Sequence, residues 1–278
     1  MSMFKQTVGN FLEKKWPWAY KIIVLPKRRI QWFFIWRKSG LAIRDEAAAR
    51  QSLKRARGFK QMVVPERDAV RYVGTNPEEG TAQLAILMYH GCKPSDTVFE
   101  LGCGALIAGY PIMQYLDAGN YFGIEPNKWL VEDSLKIPQI KETASQKSPR
   151  IAHNTEFDGS EFKTKFDYVI GHSIFSHAAH WQWPLFLKNI DTCVGPGSKI
   201  LVSLHFTEGN TYGDVGYKGT ELDFNEWVYP GISFFRKETI QDCAEKYGYN
   251  FKVDLVAPML INIAHPGANH SWILLEKK

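Results

Sequence analysis

The 278-residue chain has only four cysteines, Cys92, Cys103, Cys193 and Cys243, with no CxxC pair and no Cys/His zinc spacing. A disulfide scaffold and a zinc module are excluded, and a reduced, cytoplasmic setting fits. No secretory signal is legible at the N-terminus. Lys21, Lys27, Arg28 and Arg29 break the apolar region between Trp16 and Trp36 well short of the ~20 residues that a membrane-spanning helix needs. There is no internal repeat and no low-complexity tract. The glycine turn at 102–104 lacks the following Lys-Ser/Thr of a phosphate-cradling loop.

What is abundant is positive charge and aromatic surface, and both are unevenly placed. Residues 1–60 hold 15 Lys or Arg against three acids, while the other 218 residues hold 19 against 26. Residues 14–38, KKWPWAYKIIVLPKRRIQWFFIWRK, interleave Trp and Phe with cations as an interfacial membrane helix does. They read as contact with an anionic membrane surface, or as a cap on the chain's own domain; nucleic acid is the least favoured partner. The organisation expected is a basic, aromatic, helical arm over 1–60 followed by one α/β domain over 61–278.

From residue 96 onward, short β-runs alternate with helical spacers, which predicts a parallel sheet of βαβ units. Seven strands are expected, at 97–101, 121–125, 150–154, 166–171, 199–204, 251–256 and 272–276. Helix is expected over 42–57 and 81–90.

The most informative stretch is VFELGCGALIAGYPIMQYLDAGNYFGIEPN, residues 98–127. An apolar strand ends in Glu100, a tight turn carries Gly102, Cys103 and Gly104, and a helix follows; glycine lets the backbone turn sharply and a ligand approach. Glu100 is placed to hold a cationic amino group. Glu125 closes the next strand about 20 residues on, where a carboxylate can accept ribose hydroxyls, with Asn127 just beyond it. This combination points to S-adenosylmethionine rather than a dinucleotide. Past the third strand, Asn154 could bond the adenine and Phe157 cover it, or Phe157 could be plain core. His172, after the fourth strand, would line the same ligand.

This stretch resembles motifs I and II of class I methyltransferases, and Gly195, Pro196 and Gly197 resemble the turn before their fifth strand. The resemblance extends over about residues 85–278. It implies a Rossmann-like, doubly wound, seven-stranded sheet with the last strand antiparallel. More narrowly, the chain is similar to bacterial methyltransferases associated with glycan-modifying gene sets, in which an HPxxQ-like sequence precedes the last strand. Here His265-Pro266-Gly267-Ala268-Asn269 stands there, with Asn in place of Gln. Leu106 replaces a common third motif glycine, a change expected to affect helix packing alone.

Ligands of open α/β sheets gather at the carboxyl ends of the strands, where His172, His177, His205 and His265 are expected. His205, His265 and His177 are the candidate bases for deprotonating an acceptor hydroxyl; no metal site is expected. The segment 206–235 exceeds an ordinary connection and carries many aromatic rings, so it reads as an acceptor-side lid, whose rings either hold a sugar or pack the lid on the core. The position after the fourth strand reads Gly171-His172-Ser173-Ile174, unlike the Asp/Asn-Pro-Pro-aromatic motif of base-amine methyltransferases. The function expected is O-methylation of a sugar, glycolipid or related polar acceptor at the cytoplasmic membrane face. A small-molecule methyltransferase and a catalytically silent cofactor-binding subunit are the alternatives.

Overall fold

The computed structural model describes residues 43–61, 76–213, 227, 231–264 and 270–278. Residues 14–38 and His265 lie outside these.

The strands are β1 (Val98–Leu101), β2 (Tyr121–Ile124), β3 (Arg150–Ala152), β4 (Phe166–Gly171), β5 (Val194–Thr207), β6 (Thr211–Gly213), β7 (Ile232–Arg236), β8 (Tyr249–Asp254) and β9 (Ser271–Lys277). The helices are α1 (Ile43–Ala56), α2 (Pro77–Tyr89), α3 (Gly109–Tyr115), α4 (Lys128–Ser134), α5 (Pro138–Lys147), α6 (Gln182–Ile190), α7 (Lys237–Lys246) and α8 (Val256–Ala264). Strands β3, β2, β1, β4 and β5 run parallel in that order. β9 then pairs antiparallel with β5, from Lys199↔Glu276 to Leu204↔Ser271, and β8 pairs antiparallel with β9. All seven expected strands are present, and the chain has the Rossmann-like sheet with its last strand reversed.

Alternation along the buried strands explains the two helical layers, because successive side chains leave a strand on opposite faces. Val98, Tyr121, Tyr168, Leu201 and Leu274 enter one core with α2, α3 and α8; Phe99, Phe122, Val169, Val202 and Ile273 enter the other with α6 and α7. The second core is rich in rings, with Phe99 stacked on Phe166 at 4.6 Å.

Three departures from the expected pattern have physical causes. Among the described residues the sheet has nine strands, because the 206–235 segment contributes two: β7 pairs parallel with the overhanging end of β5 (His205↔Phe234), and β6 pairs antiparallel with β7. Gly195, Pro196 and Gly197 do not precede the fifth strand but lie within β5, where the register slips between Phe166↔Val194 and Tyr168↔Lys199; Gly197, at φ +84°, takes the bend. Helix α8 follows β8 directly, its N-terminus capped by Asp254, which accepts from the N–H groups of Val256 and Ala257 at 2.7 and 2.8 Å. α1 packs on α2 and α8 with Ala49, Leu53 and Ala56 buried, so this part of the basic N-terminal region is joined to the domain. No helix of the described residues is long and apolar enough to cross a membrane.

Candidate active site

The glycine turn hangs from the carboxyl ends of β1 and β2. Gly102 and Gly104 have φ of +60° and +50°, which glycine adopts without strain. The Cys103 N–H donates to the Ile124 carbonyl at 3.0 Å and ties the turn to β2. At Gly102 a Cβ would run into Ile174 of the loop after β4, so this glycine admits the chain's own side chain. Leu106 corrects an expectation. It holds φ +59°, a left-handed conformation costing a branched residue about 1–2 kcal/mol. The third glycine position therefore keeps glycine's backbone geometry, held here by a fully buried leucine side chain and by hydrogen bonds from Leu106 N–H to the Cys103 carbonyl and from Tyr110 N–H to the Leu106 carbonyl, both 2.8 Å.

Two carboxyls flank the turn, and both are buried, at 5 % exposure for Glu100 and 6 % for Glu125. Glu125 accepts from Gly104 N–H at 3.1 Å, and from Asn127 N–H and Nδ2 at 2.8 and 3.0 Å. A carboxylate offers about four acceptor positions, so one remains for a ribose hydroxyl. Glu100 accepts from the Tyr121 hydroxyl at 2.6 Å. Burial pushes its carboxyl up to about 8; the Tyr121 hydrogen bond opposes the rise and the neighbouring Glu125 charge adds to it. Neither acid forms an ion pair among the described residues. A buried carboxylate without a counter-charge is costly, so the pair calls for a proton or a cation. A ligand with a ribose, an ammonium and a sulfonium, which is S-adenosylmethionine, fits that donor set.

Asn154 is placed past β3 as expected, but its amide serves its own loop: Oδ1 accepts from Glu156 and Asp158 N–H, and Nδ2 donates to the Asp158 carbonyl. Phe157, half-buried at φ +58°, has its ring 5.5 Å from Phe175 and 5.8 Å from Phe186.

After β4, near the end of β5 and just before β9, the structure brings together His172, His205 and His270. The His205 and His270 ring centres are 4.4 Å apart and those of His172 and His270 5.2 Å, while His172 stacks on Trp272 at 5.4 Å. His270 Nδ1 lies 3.1 Å from Ser203 Oγ, which accepts from Ser173 N–H at 2.7 Å. Ser173, at φ +62°, is another strained residue of the loop after β4. Sequence reasoning missed His270. The antiparallel last strand was the available signal, because the residue before it must then lie beside the end of the fifth. No group of three His, Cys, Asp or Glu among the described residues could hold a metal ion.

His177 makes contacts with the 206–235 segment. Its Nδ1 meets the Gly231 carbonyl at 3.1 Å, and its own carbonyl accepts from Trp227 Nε1 at 3.0 Å. His180 does the same for the two extra strands, with Nε2 2.9 Å from the Phe234 carbonyl and its ring stacked on Tyr212 at 4.0 Å. Burial lowers the His180 pKa, against the raising effect of the Phe234 and Thr211 carbonyls.

Replacing Glu125 by alanine should weaken S-adenosylhomocysteine binding by about 1–3 kcal/mol in calorimetry, since charged hydrogen bonds to the ligand and to the Gly104 turn both go. An affinity equal to wild type would remove Glu125 from the site.

The methyltransferase domain family matches residues 71–252. No curated protein sequence matches the chain. Among solved structures, the magnesium protoporphyrin IX methyltransferase of Synechocystis PCC 6803 with bound S-adenosylhomocysteine is similar, with a TM-score of 0.51 and 13% identity over 82% of this chain and 93% of that one. DesVI of Streptomyces venezuelae matches at 0.51 and 11%, over 78% and 100%. An S-adenosylmethionine-dependent methyltransferase of Clostridium acetobutylicum matches at 0.52 and 10%, over 75% and 94%. At these identities the likeness is one of fold, and with the family match across more than half of its length the chain belongs to the methyltransferase domain family of Rossmann-like, S-adenosylmethionine-dependent enzymes.

Proposed function

We propose that the chain transfers the methyl group of S-adenosylmethionine to a hydroxyl of a sugar, glycolipid or related polar acceptor at the cytoplasmic face of a membrane. The observation that carries this reading is the meeting of His172, His205 and His270 at the carboxyl edge of the sheet, beside the aromatic β6–β7 flap. Methyl transfer is an in-line displacement at a sulfonium, so a neutral hydroxyl gains from a base that takes its proton as the oxygen attacks. His205 is the base in this reading: it is half-buried, in register with Phe234 across β5 and β7, with its ring 5.6 Å from that phenyl. His265 is the second candidate from its place before β9. His177, already tied to Gly231, orders the lid. Glu100, Glu125 and the turn at 102–104 would hold the cofactor, which supplies the electrophilic methyl group.

Tyr212 and Phe234, both half-buried beside His180 and His205, support a sugar acceptor, because flat rings suit the CH faces of a pyranose, whereas Phe235 is buried in the core. The membrane part rests on residues 14–38, whose Trp and Phe rings would enter the headgroup layer while Lys27, Arg28 and Arg29 meet anionic lipid. The test has two arms. Protein given S-adenosylmethionine labelled in its methyl group should label the glycan or glycolipid fraction of a cell extract, and the full chain should sediment with anionic liposomes and be released by salt. Label confined to protein or nucleic acid would refute the acceptor class, and liposome binding that survives deletion of residues 1–40 would refute the membrane role of the arm.

A further inference from the structure

We infer that Tyr121 is a positioning residue for the cofactor, its hydroxyl holding the Glu100 carboxyl in the orientation in which it receives the ligand's ammonium group. This rests on the proposed reading that Glu100 meets the cofactor.

Tyr121 opens β2, is 1 % exposed and donates its hydroxyl to Glu100 Oε2 at 2.6 Å. The backbone places the pair: Glu100 stands opposite Gly123 in the parallel β1–β2 register, and Tyr121, two residues before Gly123, faces the same side. Two glycines clear the space. A Cβ at Gly109, the first residue of α3, would run into the Tyr121 hydroxyl, and one at Gly123 would lie 2.9 Å from Cys103 Sγ. The helix that follows the glycine turn is thus built around this hydroxyl. Apolar packing alone would be met by phenylalanine, since a phenol is costly to bury without a partner.

The contact engages Oε2, and no other hydrogen bond reaches Glu100 among the described residues, which leaves Oε1 for the ligand. The titratable groups facing Glu100 are Tyr121 on β2, Cys103 in the glycine turn and Glu125 at the end of β2. Burial first, and then the Glu100 carboxylate that it bonds, holds the Tyr121 hydroxyl protonated well above its usual range, so it remains a donor. The Cys103 thiol is likewise pushed up, by burial first and then by the two glutamates, so it brings no competing negative charge. A bound ammonium draws a proton off Glu100, and the Tyr121 hydrogen bond makes that loss easier because it favours the ionised carboxylate.

The experiment is calorimetric titration with S-adenosylhomocysteine across pH 6.5–9, alongside thermal melts of the unliganded proteins, using wild type, Tyr121→Phe, Glu100→Gln and the double variant. Wild-type affinity should rise with pH towards about 8, where Glu100 loses its proton. Tyr121→Phe should melt as a folded protein and bind about ten- to a hundredfold more weakly at pH 7, with its rise in affinity moved to higher pH. Glu100→Gln should bind weakly without that rise, and adding Tyr121→Phe should then change nothing further. The ligand's own ammonium titrates alike in every variant, so differences between variants belong to the protein. Wild-type affinity and pH profile in Tyr121→Phe, with weakened binding in Glu100→Gln, would overturn this inference alone. Wild-type affinity in Glu100→Gln would instead overturn the placing of Glu100 at the cofactor.

Discussion

Replacing His205 by alanine is expected to lower turnover by about 10²–10⁴-fold on a hydroxyl acceptor while leaving S-adenosylhomocysteine affinity unchanged. The size follows from the chemistry. A sugar hydroxyl holds its proton far above neutral pH, so the attacking oxygen must lose it during the displacement. A base already in place converts that loss into a short transfer within the site. His205 sits where β5 overruns the main sheet and begins to pair with β7, so one residue belongs to both the rigid sheet and the β6–β7 pair. His177→Ala should behave differently. It loses the contact to the Gly231 carbonyl, and, if the 206–235 segment is the proposed lid, its effect should fall mainly on the acceptor's KM. Full turnover in His205→Ala would mean that alignment of acceptor and sulfonium suffices, as it can for a nucleophile already deprotonated.

Much of this architecture is legible in the sequence because its signals are local. Glu100, Gly102, Gly104 and Glu125 are set by strand, turn and strand over fewer than thirty residues, and the apolar runs of the parallel strands mark themselves. What escapes is set by sheet order or by ambiguous composition. His205 and His270 are 65 residues apart in sequence and meet because β9 lies antiparallel beside β5, a pairing that no local spacing encodes. α8, VAPMLINIA, is apolar at almost every position, and a short continuous apolar run has no period that separates buried helix from buried strand. Its start is marked only by Asp254 three residues before Ala257, a cap easily read as the end of a strand. Leu106 shows the opposite limit. The motif position was recognised, but the demand for a positive φ persists when glycine is gone, and side-chain identity alone conceals it. Asn154 lay in the expected place, yet its amide bonds run to its own loop, a choice made by neighbours at 156 and 158.

Asp254 should prove the most costly single carboxylate to remove for stability. It is 7 % exposed and joins three parts of the fold at once: Oδ1 caps α8, Oδ2 meets His90 Nε2 at 2.6 Å, and the Asp254 backbone ends β8 opposite Trp272. His90 in turn ends α2, and its carbonyl accepts from the Tyr168 hydroxyl at 2.9 Å and from Lys199 Nζ at 2.7 Å. Burial would by itself raise the Asp254 pKa, but the hydrogen bond and charge of His90, with the N–H groups of Ala257 and Val256, outweigh it and hold the carboxyl below its usual range. Asp254→Ala leaves His90 buried without its partner and α8 without its cap, a loss of about 3–5 kcal/mol. In a chain of this size that lowers the melting temperature by roughly 10 °C. Asp254→Asn keeps a side-chain oxygen for the cap and should cost less. Because the folded pKa is depressed, this contribution is fully present above the unfolded value of about 3.9 and is lost as pH falls through the folded one. Urea melts at pH 7 should therefore show the whole gap between wild type and Asp254→Ala, and melts at successively lower pH should show the part of it owed to the charge shrinking below about pH 4. A gap under 1 kcal/mol at pH 7, or one that widens as the solution is acidified, would show that the Asp254–His90 pair does not hold α2, β8 and α8 together.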